Sequence, residues 1–482
     1  MNPQTALHLS TLVELARDAR TSPSVVLHLT QAMRSAILSG RLPSGTRLPS
    51  TRVLAQETAV GRSTWVEVIE QLAMEGYLQT RQGASTSVAM IETRQRDRPA
   101  RLKADTVRSE RWILDDPPTP VGIRAFRTGL PDLGSFPSEE WATLVGRRCR
   151  QPISHDLSYV HPCGLPALRE ALLAHLRQVR GVHAEPQQVL VVPSAQAAFS
   201  ILAQAAVSPG DAAWVEDPGY PGIHSVLRSR GATVIPQSVD DAGICVRNDG
   251  SVAPKLIYTT PSHQFPTGVT MPLPRRLDLL AFAGRVGALV IEDDYDSEYQ
   301  YHGRPIASLQ GLDTQGCVAY VGTFSKTLAP GLRMAYMVVP QRWLPLVETI
   351  ATVSGYAVPV HFQLAMADFI SGGGFHRHLR RVTTEAGARI QLLADALRRA
   401  QDPRLSIPIP QGGLQLCVGW SGTTPDTTIS RHLLDSKVVA LALSPMFHGP
   451  PRQGLILGVG LVPRNDIEPT CKRLLSCLRR VT

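Results

Sequence analysis

The chain is 482 residues long, 43% of them hydrophobic, with a formal net charge of +9. That length exceeds a single core and predicts two or more domains, and the apolar fraction excludes a disordered chain. No apolar run reaches membrane-spanning length, since even LLAFAGRVGALVI carries Arg285, and seven cysteines without paired spacing argue against a disulfide framework or a zinc site and for a reducing compartment, the cytosol.

Residues 1–111 hold 15 Lys or Arg against 10 Asp or Glu, over half of the whole excess, which predicts a polyanionic partner at that end. Residues 1–21 read as a leader without the basic start and apolar block of a secretory signal. SPSVVLHLTQAMRSAILSG then spaces apolar residues by three and four from Val26 to Leu38, with Ser22 and Pro23 suited to a helix start and Gly40 to a stop. Pro49 and Ser50 precede a short helix with Leu54 and Ala55 on its inner face. TAVG turns the chain, and a second helix from Arg62 to Glu75 buries Trp65, Val68, Ile69 and Leu72. Helix, four-residue turn, helix is the geometry that sets the second helix in a DNA major groove. Three-helix cores that bind no nucleic acid share the spacing. After Gly76, YLQTRQGASTSV alternates around a bend at Gln82 and Gly83, a β-hairpin in the place of a wing.

The motif string decides between these. G-x-L-x-x-G-x-x-LPS-x-R-x-LA, then R-x-T, L-x-x-EGYL and G-x-x-T-x-V, resembles the winged helix-turn-helix of the GntR family of bacterial regulators over residues 22–90. The resemblance implies DNA contacts from Arg52, from Arg62, Ser63 and Thr64 at the start of the recognition helix, and from Gln82 and Gly83 at the wing tip. Gly61 stands where a hydroxyl-bearing cap is usual, and GASTSV replaces a more glycine-rich, aromatic wing. Residues 91–121, charged and closing on a proline cluster, read as a flexible linker.

From residue 122 to 482 strands alternate with helices. VLVVPSAQAAFSILAQAAV reads as an apolar strand, a small-residue turn and a helix, and AAWVEDPGY, GATVIPQSV, PKLIYTTPSHQFPTG, ALVIEDDYD and CVAYVGTFSK as further buried strands, most ending in polar or small residues. This predicts an α/β domain with a largely parallel sheet and its ligand groups at the carboxyl ends of the strands.

Lys326, in VGTFSKTLAPGLRMAY, is one of five lysines against forty-four arginines. Imine formation needs a primary amine, which guanidinium cannot supply. Thr323 and Ser325 before it can bind a phosphate that Arg333 would neutralise. Ser194 and the amides of Ala195 and Gln196 open a helix, a favourable place for an anion. Asp293 could pair with a protonated pyridine nitrogen, Tyr295 could donate to a phenolate oxygen, and Tyr220 could stack on a flat ring. Lysine, phosphate pocket, acid and aromatic together describe pyridoxal 5'-phosphate.

LSYVHPCGLPALREALLAHLRQVRG, WVEDPGYPG, YTTPSHQFPTG, IEDDYDSEY and GTFSKTLAPGLRMAY resemble a fold-type I aminotransferase domain. With the GntR-type reader ahead of it, the chain resembles the MocR (GabR-like) regulators over almost its whole length. The resemblance implies the roles given above, with Asp294 as a lesser candidate for the pyridine contact and His263 or Gln264 near the phenolate side. Aminotransferases usually grip the substrate carboxylate with an arginine in a string like R-x-G-F; here the string is LILGVG, which puts Ile456 there, with Arg452 as a possible substitute. Some relatives carry an arginine where Gly222 stands.

Two functions remain open at this point. One is a DNA-binding transcriptional regulator that senses a small amino compound, or the vitamin itself, through the Lys326 aldimine; the other is an active aminotransferase with an accessory DNA-binding domain. The resemblance also implies a head-to-tail homodimer, each reader lying against its partner's large domain.

Overall fold

The first helix, α1 (Pro3–Ala19), forms in the segment that reads as a leader. Its Leu12, Leu15, Ala16 and Ala19 recur at three- and four-residue spacing and are all buried, so this segment belongs to the amino-terminal core. The computed structural model describes residues 3–19, 24–80, 85–90, 125–151, 157–158, 161–246, 252–301 and 306–481. The proposed helix start at Ser22 and Pro23, the wing tip at Gln82 and Gly83 and the linker 91–121 lie outside the described residues. The chain divides into two compact units, Met1–Glu110 and Arg111–Thr482.

In the first unit α2 (Val25–Leu38), α3 (Thr51–Thr58) and α4 (Arg62–Met74) close over Leu29, Met33, Ile37, Leu54, Trp65 and Leu72. Ser50 caps α3 by accepting from the Val53 amide. Ala59 takes the left-handed conformation that turns the chain into α4. Two hydrogen bonds fix the angle between these helices from inside: the Trp65 indole donates to the Thr58 hydroxyl at 2.9 Å, and that hydroxyl donates to the Leu54 carbonyl at 2.5 Å. Strands β1 (Leu78–Gln79) and β2 (Ser87–Val88) pair antiparallel, Leu78 opposite Val88. The Thr46–Leu48 backbone also bonds to residues 86–88, a pairing the periodicity gave no hint of.

The second unit is built on eight strands: β3 (Val189–Val192), β4 (Ala212–Asp217), β5 (Thr233–Asp240), β6 (Gly243–Ile244), β7 (Leu256–Thr259), β8 (Leu289–Asp294), β9 (Val318–Thr323) and β10 (Ala335–Val338). Their order in the sheet is β3-β10-β9-β8-β7-β4-β5-β6. Alternate side chains feed opposite faces. Leu190, Val215, Tyr258, Ile291 and Val321 pack under the helices Ala195–Ala206, Pro221–Ser229 and Leu344–Ser354. Val191, Tyr320 and Tyr336 face Pro166–Arg180 and Val360–Ser371, while Trp214, Ile257 and Val290 face Leu273–Val286.

The sheet is mixed where the sequence predicts largely parallel. Strands β9, β8, β7, β4 and β5 run parallel, but β10 is antiparallel to both β9 and β3. After β9 the chain doubles straight back, Ala335 pairing with Thr323, because no crossover helix intervenes. Lys326 sits in that return loop. Strand β5 is half-exposed rather than buried, since beyond it lies only the two-residue β6.

A second, antiparallel sheet in the order β11-β12-β14-β13 comprises β11 (Leu405–Ser406), β12 (Gln415–Trp420), β13 (Leu441–Ala442) and β14 (Gly454–Gly458). Helices Gly374–Arg399, Asp426–Asp435 and Ile467–Val481 cover its Leu416, Val418, Leu455 and Leu457 face. No helix among the described residues is long and apolar enough to cross a membrane.

Candidate functional site

A cavity of about 570 Å³ opens at the carboxyl ends of β3, β4, β7, β8 and β9. Of the residues expected in one site, Ser194, Ala195, Gln196, Tyr220, Asp293, Tyr295, Thr323, Ser325 and Lys326 all line it. Their distance in sequence is closed by the common direction of the strands that carry them.

At one end, helix Ala195–Ala206 begins on Ser194, whose hydroxyl accepts from the Ala197 amide at 3.1 Å. The amides of Ala195 and Gln196 precede the helix's own bonding. Thr323 likewise accepts from the Ser325 amide at 3.1 Å. Both hydroxyls keep their own protons for an anion. The Gln196 side chain donates to the Tyr220 hydroxyl at 3.1 Å, while its buried Oε1 has no partner. Gly222 permits that contact: a Cβ there would stand 2.1 Å from Gln196 Nε2 and 2.5 Å from the Tyr220 ring, so an arginine would displace both.

Lys326 directs its amine to the Gly129 carbonyl at 2.6 Å. Desolvation lowers its pKa against the opposing pull of Asp296 and Asp293, which favours the free amine needed for attack on an aldehyde. The loop is pinned on both sides: Tyr299 donates to the Lys326 carbonyl at 2.8 Å, and His378 bonds the Thr327 carbonyl at 2.7 Å. Asp293 is buried and receives the Tyr258 hydroxyl at 2.5 Å. Burial pushes its carboxyl up to about 7, with the Tyr258 bond pulling the other way.

Other expected residues turn elsewhere. Asp294 is enclosed by Arg180 at 2.8 Å, Tyr320 at 2.5 Å and Ser297 at 2.8 Å, away from the cavity lining. His263 stands behind Tyr295, its Nδ1 3.1 Å from that hydroxyl and 3.2 Å from Asp296. Burial disfavours the charged ring, but Asp296 outweighs it and raises the pKa. Gln264 bonds Glu216 and the Pro218 carbonyl, holding the turn after β7. Arg333 is exposed, in the left-handed region at φ 48°, and is not among the lining residues. Arg452 is exposed over the Phe447 ring at 5.6 Å and also lies off the lining.

Thr128, Gly129, Phe199, Pro221, Ser225, Phe265, Gln415, Leu441, Pro445 and Met446 complete the wall without having been expected. The one legible signal was Gln415, a lone polar residue in the apolar run GLQLCVGW. Gly129, at φ 80°, is reached only through the fold.

In the first unit Arg52, Arg62 and Ser63 are exposed and Thr64 is partly so, at the starts of α3 and α4. Gly61 supplies no side-chain cap, so the first amides of α4 stay uncapped from the side chain. Arg52 and Arg62 form no ion pair among the described residues.

The donor set fits a phosphate, a ring nitrogen that can be protonated and an aldehyde, the three handles of pyridoxal phosphate. A DNA reader joined to such a domain defines a transcriptional regulator built on an aminotransferase fold. Comparison with known proteins agrees: residues 26–88 match the model of bacterial regulatory proteins, gntR family, and residues 132–452 match aminotransferase class I and II. The chain is 37% identical over 467 residues to the probable rhizopine catabolism regulatory protein MocR of Rhizobium meliloti, covering 95% of this chain and 94% of that one. It is 30% identical to the pyridoxine biosynthesis transcriptional regulator PdxR of Corynebacterium glutamicum, over 83% and 84% of the two chains. Among solved structures it resembles LysN, the α-aminoadipate aminotransferase of Thermus thermophilus, with a TM-score of 0.68 and 26% identity over 75% of this chain and 93% of that one. The chain belongs to the MocR-type regulators of the GntR family, and its cofactor is pyridoxal phosphate.

Proposed function

We propose that this regulator senses a small primary amine at Lys326 and transmits its binding to the DNA reader. The observation that carries the reading is a lysine amine, its pKa lowered by desolvation, inside a cavity whose opposite groups are a helix start and a buried carboxyl. Bound pyridoxal phosphate supplies an aldehyde that condenses reversibly with primary amines. Lys326 offers its amine for that attachment. The amides of Ala195 and Gln196 and the hydroxyls of Ser194, Thr323 and Ser325 would hold the phosphate, helped by Arg333 if its exposed side chain swings inward. Asp293 would pair with the pyridine nitrogen, whose positive charge offsets the cost of ionising a buried carboxyl. Tyr220 would cover a ring face, and Tyr295 would donate to the phenolic oxygen with His263 and Asp296 fixing its direction.

At the other unit, Arg62, Ser63 and Thr64 would meet base edges and Arg52 a phosphate, with Gln82 and Gly83 at the wing tip. The protein would act in the cytoplasm as a head-to-tail homodimer, the assembly that the family resemblance implies. The deciding experiment follows visible absorbance and promoter affinity together. Wild type should carry a long-wavelength band that shifts with an amine effector, and Lys326→Ala should lose the band. A mutant that keeps both the band and the shift would overturn the role of Lys326.

A further inference from the structure

We infer that the cavity selects primary amines whose far end is uncharged yet able to hydrogen-bond, such as an amino alcohol or amino amide, and that Gln415 reads that end. The inference rests on the amine-sensing reading and narrows it.

Once the residues assigned to the cofactor are set aside, the remaining wall includes Thr128, Phe265, Gln415, Leu441, Pro445 and Met446, with Gly129, Phe199, Pro221 and Ser225 beside them. Among the described residues Lys326 is the only cation on the lining, and its amine is already committed. The second sheet explains why no other reaches in. In the β12–β14 ladder Gln415 opposes Gly458 and Cys417 opposes Ile456, and Leu441 of β13 opposes Ile456 in turn. Side chains alternate along a strand, so Gln415, Cys417, Ile456 and Leu441 share one face, while Leu416, Val418, Leu455 and Leu457 share the covered face. Gln415 and Leu441 line the cavity, which makes this the face turned toward it. The four side chains of that face are neutral: Ile456 is fully buried, and burial pushes the Cys417 thiol up to about 12 against the opposing pull of Arg452, whose exposed guanidinium lies off the lining.

A carboxylate brought against that wall would leave water with no counter-ion on the lining to receive it. A hydroxyl or amide oxygen would lose little. Gln415 supplies the complementary group, being 8% exposed with a buried Nε2 that has no hydrogen-bond partner. An unmet buried donor is costly, so a ligand oxygen that satisfies it gains affinity and discriminates against an analogue lacking it. Thr128 adds a second uncharged oxygen to the same wall.

The test uses the full chain loaded with pyridoxal phosphate and titrates n-butylamine, 4-amino-1-butanol, 4-aminobutanamide and 4-aminobutanoate, reading visible absorbance and promoter affinity. The alcohol and the amide should half-saturate at least about tenfold below 4-aminobutanoate, and below n-butylamine. Gln415→Leu should bring the ratio of alcohol to n-butylamine close to one, its visible band reporting that the protein is folded and loaded. Ile456→Arg should shift preference toward 4-aminobutanoate. A wild type that prefers 4-aminobutanoate, or a Gln415→Leu protein that keeps the alcohol's advantage, would overturn the inference and leave amine sensing intact. Silence of the wild type toward all four amines would overturn both.

Discussion

Asp293 carries a conflict that a proton or a bound cation would resolve. Its carboxyl is buried and raised from 3.8 to about 7, with one hydrogen bond from Tyr258 to support the charge. Without cofactor, the unfolded chain ionises this group above pH 4 while the folded protein holds the proton until about 7. Stability therefore falls as pH rises through that window, by up to on the order of 4 kcal/mol for this group. Glu292 and Glu298, raised by burial to about 7 and about 8, act in the same sense. His175 and His224, lowered by burial to about 4 and about 3, act in the opposite sense up to pH 6.5, so the variant comparison is the test: in thermal melts of cofactor-free protein between pH 5 and 8, Asp293→Asn should lose less stability than wild type as pH rises. An unchanged slope would remove Asp293 from the account. The sequence offered Asp293 and Asp294 as neighbours with the same chemistry. Arg180, Tyr320 and Ser297 enclose one and the cavity receives the other, a distinction set by strand alternation and long-range packing.

Two elements decide how the molecule meets its partners. Helix α4 leads with Arg62, Ser63 and Thr64 outward, and its buried Trp65 bonds Thr58 of α3, so the recognition face is held from behind. If Arg62 meets a base edge, Arg62→Ala should cost about 1 to 3 kcal/mol of promoter binding and relax sequence preference. If Arg52 meets a phosphate, Arg52→Ala should weaken binding to every sequence and flatten its dependence on salt by about one unit of slope. Titrations of promoter and unrelated DNA at two salt concentrations separate these outcomes; wild-type affinity in either variant would remove that contact. The loop from β9 to β10 is the second element. Its motif was legible, but the antiparallel return that aims Lys326 at the Gly129 carbonyl was not, because strand direction depends on which partner a strand finds.

At the scale of the whole chain, an effector can shift the reader only through a difference in its affinity for two arrangements of the protein. Full amino transfer would consume the effector and discharge the signal. An apolar Ile456 and a lining without a guanidinium among the described residues fit a site that does not hold a substrate carboxylate for a second half-reaction. Lys326→Ala should therefore still bind promoter DNA but lose its transcriptional response, and wild type should release little or no keto product with excess amine and keto acid. Sustained turnover would favour the aminotransferase reading instead.

Local chemistry determined much of this protein from sequence alone. Helix periodicity, turn residues and motif strings act over a few positions, so the reader, the alternating strands and the residue types around Lys326 were all legible. Tertiary structure decided what depends on distant segments meeting. It brought α1 into the first core, set β10 antiparallel, and turned Asp294, His263 and Gln264 from the cavity wall. It also carried Gln415, eighty-nine positions from Lys326, to the same cavity, because a side chain's partners are fixed by which strand ends the fold gathers at one edge.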